Sequence, residues 1–517
     1  MNEGLLSQKV MLIIMDGLGA APVDKGNAVT LARPENLIRY WDSYPHTYLQ
    51  ASGPAVGLPE GIYGNSEVGH LNIGAGKVIL QNLPKINRAI ETGAYYSNTT
   101  LLSALQHAQT NGSNIHIIGC FSDGGVHSHI DHFLATHKFF VQRAVKNPIY
   151  FHCFTDGRDS PPKEARRFFQ ILNKQINDTG FGHIASIIGR AYAMDRNNNW
   201  DRTKLAYDLL TLGKGELFNN WEDALNNSYL KGFTDEYIKP SIIKKDQNVP
   251  VITSNDVILF LNYRADRALQ LTEAFLSERF DSFQTKALQN IFFASMVSYR
   301  KDYPNHVIMP KEYVNLSLGR IISENGMRQL RIAESEKFPH VTYFFNGGLS
   351  IKYSGEDRIE VPSPNVPTYD RKPEMSAMEI LTILKQRLNL NIYDFVVLNL
   401  ANTDMVGHTG NLQACIRSVQ VVDHVVDQLV KQFTSLGGTV ILTADHGNVE
   451  EVIKVGTNDI DTEHSLNPVP FMIINSSLKK DNLPYGQLSD IAPTILDLMN
   501  IRKPDEMMGR SLLPANL

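Results

Sequence analysis

Three short apolar runs, far apart in a chain of 517 residues, each lead to an aspartate, and nothing else constrains the fold as much. Val10-Met11-Leu12-Ile13-Ile14-Met15 runs into Asp16-Gly17. Phe395-Val396-Val397-Leu398 runs into Asn402-Thr403-Asp404, with His408 four residues on. Val440-Ile441-Leu442 runs into Thr443-Ala444-Asp445-His446-Gly447-Asn448. Uncharged runs this short read as buried strands. In open α/β sheets, ligands bind at the carboxyl ends of the strands. Three carboxylates meeting there repel one another unless a cation sits between them. The pattern predicts a metal site built from Asp16, Asp404, His408, Asp445 and His446.

Each fragment alone says little. Asp-His-Gly is common in loops, Asp and His at i,i+4 share a helical face for any reason, and a lone His464 reads as a polar loop residue. Their convergence at three strand ends is what specifies a site. Mixed Asp and His ligands suit Mn²⁺, Zn²⁺ or a similar ion, and no cysteine lies nearby to make a structural zinc site. With His464 and Ser66 added, the ligands exceed what one ion takes. Two ions are expected, and paired ions serve in-line phosphoryl displacement.

Ser66 lies in the glycine-dense stretch Leu58 to His70, before a helix start. It reads either as an N-cap or as a nucleophile facing helix N–H groups that suit a phosphate. Asn72-Ile73-Gly74-Ala75-Gly76-Lys77 fails as a phosphate loop, because Leu71 and Val78 stand where Gly and Ser or Thr belong. It reads as a hinge or connection.

From about Leu80 a second strand-helix series begins. Runs at Ile115–Cys120, Ile149–Phe154, Ile184–Gly189 and Val257–Leu261 alternate with helical segments such as Lys163–Ile176 and Ala268–Phe280. Their ends carry Arg158, Arg190, Arg196, Arg264 and Arg267 where the other strands carry Asp. One such Arg reads as a surface charge. Several in one unit predict a pocket for an anion, since guanidinium grips phosphate or carboxylate bidentately. His127, in a glycine turn, joins this set, whereas His129 and His132 read as a surface stripe.

Asp16 and Ser66 lie at one end of the sequence and most other candidate ligands beyond residue 400, so the first and last parts form one domain around an insertion. The expected architecture is two α/β domains: 1–79 with 313–517 binding metal, and 80–312 inserted to bind substrate. Length bounds this at two or three domains. The net charge of −5 gives no general attraction to nucleic acid or membrane surfaces. No apolar stretch reaches the roughly 18 residues of a membrane helix. Met1 to Lys9 lacks the marks of a signal peptide. The 3 cysteines, far apart in apolar contexts, are expected as buried thiols, and the cytoplasm as the compartment.

The chain closely resembles the cofactor-independent phosphoglycerate mutases of the alkaline phosphatase superfamily. The resemblance covers nearly all of it and rests on Asp16-Gly17, Gly64 to His70, Ser122 to His129, Asp156-Gly157-Arg158-Asp159, Arg190, Asp195-Arg196, Arg264 to Arg267, Lys337, Pro367 to Asp370, Asp404 to Asn411, Asp445 to Asn448 and His464. Leu18, Arg371 and Thr403 depart from the family pattern. The resemblance implies an alkaline-phosphatase-like domain carrying the inserted α/β domain, and interconversion of 3- and 2-phosphoglycerate without 2,3-bisphosphoglycerate. It implies one Mn²⁺ on Asp404, His408 and His464, and another on Asp16, Ser66, Asp445 and His446, with Zn²⁺, Co²⁺ or Mg²⁺ as alternatives. Ser66 would carry the phosphoryl group. Lys337 would offset charge on the bridging oxygen and Asp159 would shuttle the glycerate proton. Arg158, Arg190, Arg196, Arg264, Arg267, His127, Asp159 and Lys337 would hold the substrate. A monomer with no nucleic-acid or membrane partner is expected. A metal-dependent phosphopentomutase or phosphohydrolase is the alternative, separable by a substrate panel. A non-catalytic metal- or anion-binding protein is a further one, which an intact Ser66 opposes.

Overall fold

The Val10–Met15 strand is wholly buried and lies in register between Phe395–Leu400 and Thr439–Thr443, parallel to both. A computed structural model describes residues 9–246, 248–478 and 481–513. The signal-peptide reading of Met1 to Lys9 falls almost wholly on residues outside those described. The chain divides into two compact units, one of residues up to Gln81 with those from Tyr313 onward, the other Asn82–Glu312. Each holds an eight-stranded sheet, so the fold is α/β.

In the discontinuous unit the sheet runs Glu356–Val361, Gln329–Glu334, Phe395–Leu400, Val10–Met15, Thr439–Thr443, Val469–Ile474, His46–Gln50, Gly486–Gln487. All strands are parallel except Val469–Ile474. Central parallel strands are covered on both faces, which is why their sequences are unbroken apolar runs rather than alternating ones. The 24-residue helix Leu412–Ser435 shows how the cover is made. The Asn411 side chain caps its first turn by accepting from Ala414 N, and Val419, Val422, Val426, Leu429, Val430 and Phe433 bury one stripe.

Helix Ser66–Ala75 corrects two sequence readings. Its cap is Asn65, whose side chain accepts from Val68 N, so Ser66 is the first helical residue and not the cap. Asn72 to Ala75 are its last turns, ended by Gly76 at φ 60°, so they are not a hinge.

The inserted unit's sheet runs His306–Val307, Phe292–Ser295, Val257–Phe260, Ile115–Phe121, Ile149–Thr155, His183–Gly189, Ser241–Ile243, Glu216–Phe218. Only the last two strands run against the rest. Its core is built from its own residues, many of them phenylalanines. His132 is buried here and meets Asn87 Oδ1 at 2.8 Å, which overturns the surface stripe: helical spacing alone does not say which face is wet. The three cysteines are free and buried. No helix among the described residues is long and apolar enough to cross a membrane.

Candidate functional site

In the discontinuous unit the three adjacent central strands end side by side. Asp16 follows Met15 directly, its backbone N–H still in the ladder with Leu400 O at 3.1 Å. Gly17 then turns at φ 72°, a left-handed backbone in which a Cβ would also lie 2.8 Å from Asp404 Cα. Only glycine allows the chain to leave the strand this close to the second carboxylate. Thr403, a departure from the family pattern, donates to the Asp16 carbonyl. Asp404 sits on the short helix Asn402–Gly407, and His408, four residues on, caps its end.

Asp16, Asp404 and Asp445 are all buried, with a single ammonium, that of Lys337, among them. Lys337 Nζ lies 2.7 Å from Asp16 Oδ1, 2.5 Å from Asp404 Oδ2 and 2.6 Å from Ser66 Oγ. Ser66 Oγ is 3.1 Å from Asp16 Oδ1 and 3.0 Å from His446 Nε2. Burial alone would raise the Asp16 and Asp404 carboxyls, but Lys337 and the neighbouring imidazoles outweigh it and hold both below the usual range. Burial would likewise lower Lys337, and the carboxylates push it up instead. Burial would lower His446, yet Asp445 and its neighbours hold it at about 9.

The donor geometry fits divalent cations. His408 Nδ1 is 2.8 Å from Thr462 O, and His464 Nδ1 is 2.8 Å from Gly64 O. A carbonyl accepts only from N–H, so both rings carry their proton on Nδ1. Their Nε2 atoms then face each other at 3.2 Å, with Asp404 Oδ1 at 3.2 and 3.1 Å from them. Two ring nitrogens and a carboxylate oxygen that close call for a positive charge between them, a proton in the metal-free protein or a cation that replaces it. Asp445 is placed in the same way: Oδ1 accepts from Gly17 N at 3.3 Å, whereas Oδ2 is buried and makes no well-formed hydrogen bond, its nearest donor being His70 Nδ1 at 3.2 Å. The ligand atoms fall into two groups, Asp404 with His446 and His464, and Asp16 with Asp445 and His446, so His446 reaches both.

In the inserted unit most of the other candidates gather about three aspartates, Asp156, Asp159 and Asp266. Arg190, buried at the end of His183–Gly189, donates to Asp156 at 2.6 Å and also to Asp159. Arg196 and Arg264 meet Asp266 at 2.8 and 3.2 Å. His127 lies 3.8 Å from both Asp159 and Asp266. Burial, then Arg190, pulls His127 down to about 4, so it is a neutral ring at physiological pH. Arg158 is exposed, 3.6 Å from Glu236. Arg267 donates to Met194 O at 3.2 Å, and burial with Arg190, Arg196 and Arg158 lowers its pKa.

Over residues 8–503 the chain matches the family described as the metalloenzyme superfamily. It is 44% identical to the 2,3-bisphosphoglycerate-independent phosphoglycerate mutase of Clostridioides difficile (strain 630), over 98% of this chain and 100% of that one. It is 46% identical to 2,3-bisphosphoglycerate-independent phosphoglycerate mutase 1 of Methanosarcina acetivorans, over 98% of each. The chain belongs to the 2,3-bisphosphoglycerate-independent phosphoglycerate mutases. It is also similar to the solved structure of Leishmania mexicana phosphoglycerate mutase at low cobalt concentration, with a TM-score of 0.62 and 31% identity over 99% of this chain and 98% of that one. The mutase is thus a metalloenzyme, and the two ligand groups are its candidate sites for a divalent ion.

Several residues that shape this mutase's two clusters carry little or no signal in the sequence. Asn399 donates to Asp16 Oδ2 at 2.6 Å, and Asn448 to Asp404 Oδ1 at 3.3 Å. Glu450 is buried and ties Gly19 N and Asn448 N, each at 2.9 Å, to the loop after His446. Asp156 accepts from Ser122 at 2.6 Å and from Asp159 N at 3.0 Å, so it holds the turn that carries Asp159. A carboxylate or amide two to five residues from a strand-end ligand is the signal that could have found Asn448 and Glu450. Asn399 has none, since it interrupts an otherwise apolar strand without any motif around it.

Proposed function

We propose that this chain interconverts 3-phosphoglycerate and 2-phosphoglycerate without 2,3-bisphosphoglycerate, through a phosphoryl group carried on Ser66. The observation that supports it most is the surroundings of the Ser66 hydroxyl, within 3.1 Å of Asp16, His446 and Lys337 at the start of a helix. We assign Asp16, Ser66, Asp445 and His446 to one Mn²⁺ and Asp404, His408 and His464 to a second. Bound there, the ions lower the pKa of the serine hydroxyl and neutralise the oxygens of the group in transfer.

Ser66 Oγ, having already lost its proton to solvent, attacks phosphorus as the alkoxide, the P–O bond to glycerate breaks as the P–Oγ bond forms, and Oγ departs again as the alkoxide in the return transfer. The departing glycerate oxygen takes a proton from Asp159, and Lys337 offsets its charge until it does. Glycerate reorients, Asp159 accepts the proton of the other hydroxyl, and that oxygen takes the phosphoryl group from Ser66. His127, Arg158, Arg190, Arg196, Arg264 and Arg267 grip phosphate and carboxylate. In this reading residues 1–79 and 313–517 are the metal-binding domain and 80–312 the substrate-binding one. The enzyme is a cytoplasmic monomer acting on a small molecule. An enolase-coupled assay tests the reading: turnover of 3-phosphoglycerate requires Mn²⁺ and is indifferent to bisphosphoglycerate. A requirement for bisphosphoglycerate, or no turnover with Mn²⁺, overturns it.

A further inference from the structure

We propose that His70 and Asn399 are positioning residues that set the metal affinity of the Asp16, Asp445 and His446 group and leave the Asp404, His408 and His464 group untouched. The inference rests on the two-ion reading above. Asn399 lies opposite Ile14 in the sheet, one residue before the strand end. Its Nδ2 is 2.6 Å from Asp16 Oδ2 and 3.0 Å from His70 Nε2, while its Oδ1 is buried without a partner. Turning the amide over would set its oxygen against a carboxylate oxygen at hydrogen-bond distance, so Asp16 dictates the orientation. Both N–H bonds of the amide are then directed, one to Asp16 and one to His70 Nε2.

The tautomer of His70 follows. A ring nitrogen that accepts carries no proton, so the proton is on Nδ1. That N–H donates to Ser66 O at 2.9 Å, with Asp445 Oδ2 3.2 Å away. One imidazole therefore abuts the backbone of the proposed nucleophile and one ligand, and the amide behind it holds another ligand of the same group. The packing leaves this arrangement no slack. His70 and Asn399 are wholly buried, and the His340 ring lies 5.4 Å from that of His70. The neighbouring Gly69 runs so close to Asp445 that a Cβ would meet its carbonyl oxygen at 2.7 Å.

The other group has different support: Asn448 on Asp404, Thr462 O on His408 and Gly64 O on His464. None of these contacts involves His70 or Asn399. Loss of such an outer partner lowers metal affinity by about 10–100-fold, and here the loss falls on one ion.

The test is calorimetric titration of the metal-stripped full chain with Mn²⁺, together with its thermal unfolding without metal. His70→Phe keeps the ring and removes both nitrogens. His70→Asn places an amide N–H where Nδ1 stands. Asn399→Leu removes the donor to Asp16 and serves if His70→Phe does not fold. The wild type takes up two ions. His70→Phe and Asn399→Leu weaken one site about 10–100-fold and leave the other as it was, while His70→Asn recovers most of the loss. Equal weakening of both sites that tracks a lower melting temperature of the metal-free protein, or unchanged affinity at both, overturns the inference alone. A wild type that takes up a single ion overturns the two-ion reading and this inference with it.

Discussion

At the scale of single residues the centre is governed by where protons sit. His446 is held at about 9 against an ordinary 6.5, because the carboxylates of Asp445, Asp404 and Asp16 outweigh the effect of burial. A folded-state pKa above the unfolded one means that the bound proton stabilises the metal-free protein. That contribution is complete below pH 6.5 and is lost as pH rises to about 9. A metal must displace the same proton, so its affinity rises across that window. The melting temperature of the metal-free protein is expected to fall from pH 6.5 to 9 while the increment produced by Mn²⁺ grows; an increment that shrinks with pH contradicts this. Gly69 offers a steric check. Its Cβ would lie 2.8 Å from Asp445 Cβ and closer still to the carbonyl, so Gly69→Ala is expected to cost about 1–3 kcal/mol and to weaken Mn²⁺ binding, as read by chemical denaturation and calorimetry. The candidate ligands are legible in the sequence because Asp follows three separate apolar runs, with His beside two of them, and that convergence says what no fragment says alone. Asn399 is not, because an amide inside an apolar run carries no signal until the fold shows what it faces.

At the scale of elements, apolar runs translate well into strands because central parallel strands bury every side chain. Val10–Met15 is recovered to the residue. Helix ends are less legible, because several residues in a row can serve as a cap. Ser66 and Asn65 both suit the role, and only the backbone shows that Asn65 holds it, which leaves the Ser66 hydroxyl free for the site. Asn65→Ala is therefore expected to cost about 0.5–2 kcal/mol and to lower kcat, through loss of the hydrogen bond to Val68 N. Asn65→Asp, which keeps the acceptor, is expected to retain stability. Equal stability and kcat in the alanine variant would show that the cap does not position Ser66. The glycines at 74 and 76 suggest a hinge because glycine ordinarily interrupts helices, but here they lie in the last turn and at the left-handed end of a buried helix.

At the scale of the whole chain, Asp at the strand ends of one series and Arg at those of the other mark two chemistries within the sequence itself. Each observed unit carries its own eight-stranded sheet and its own apolar core. A chain of residues 82–312 expressed alone is expected to unfold in one cooperative, denaturant-induced transition. A gradual, non-cooperative loss of structure would mean that its core needs the rest of the protein. The central claim is that the phosphoryl group passes through Ser66, and rapid-quench peptide mass spectrometry tests it most directly. With Mn²⁺ and 3-phosphoglycerate, enzyme quenched during turnover is predicted to carry one phosphoryl group on the peptide containing Ser66 and on no other. The Ser66→Ala protein is predicted to keep its fold and bind Mn²⁺ at one or both groups, yet to have no mutase activity. A Ser66→Ala protein that interconverts the two phosphoglycerates at near wild-type rate would contradict the account.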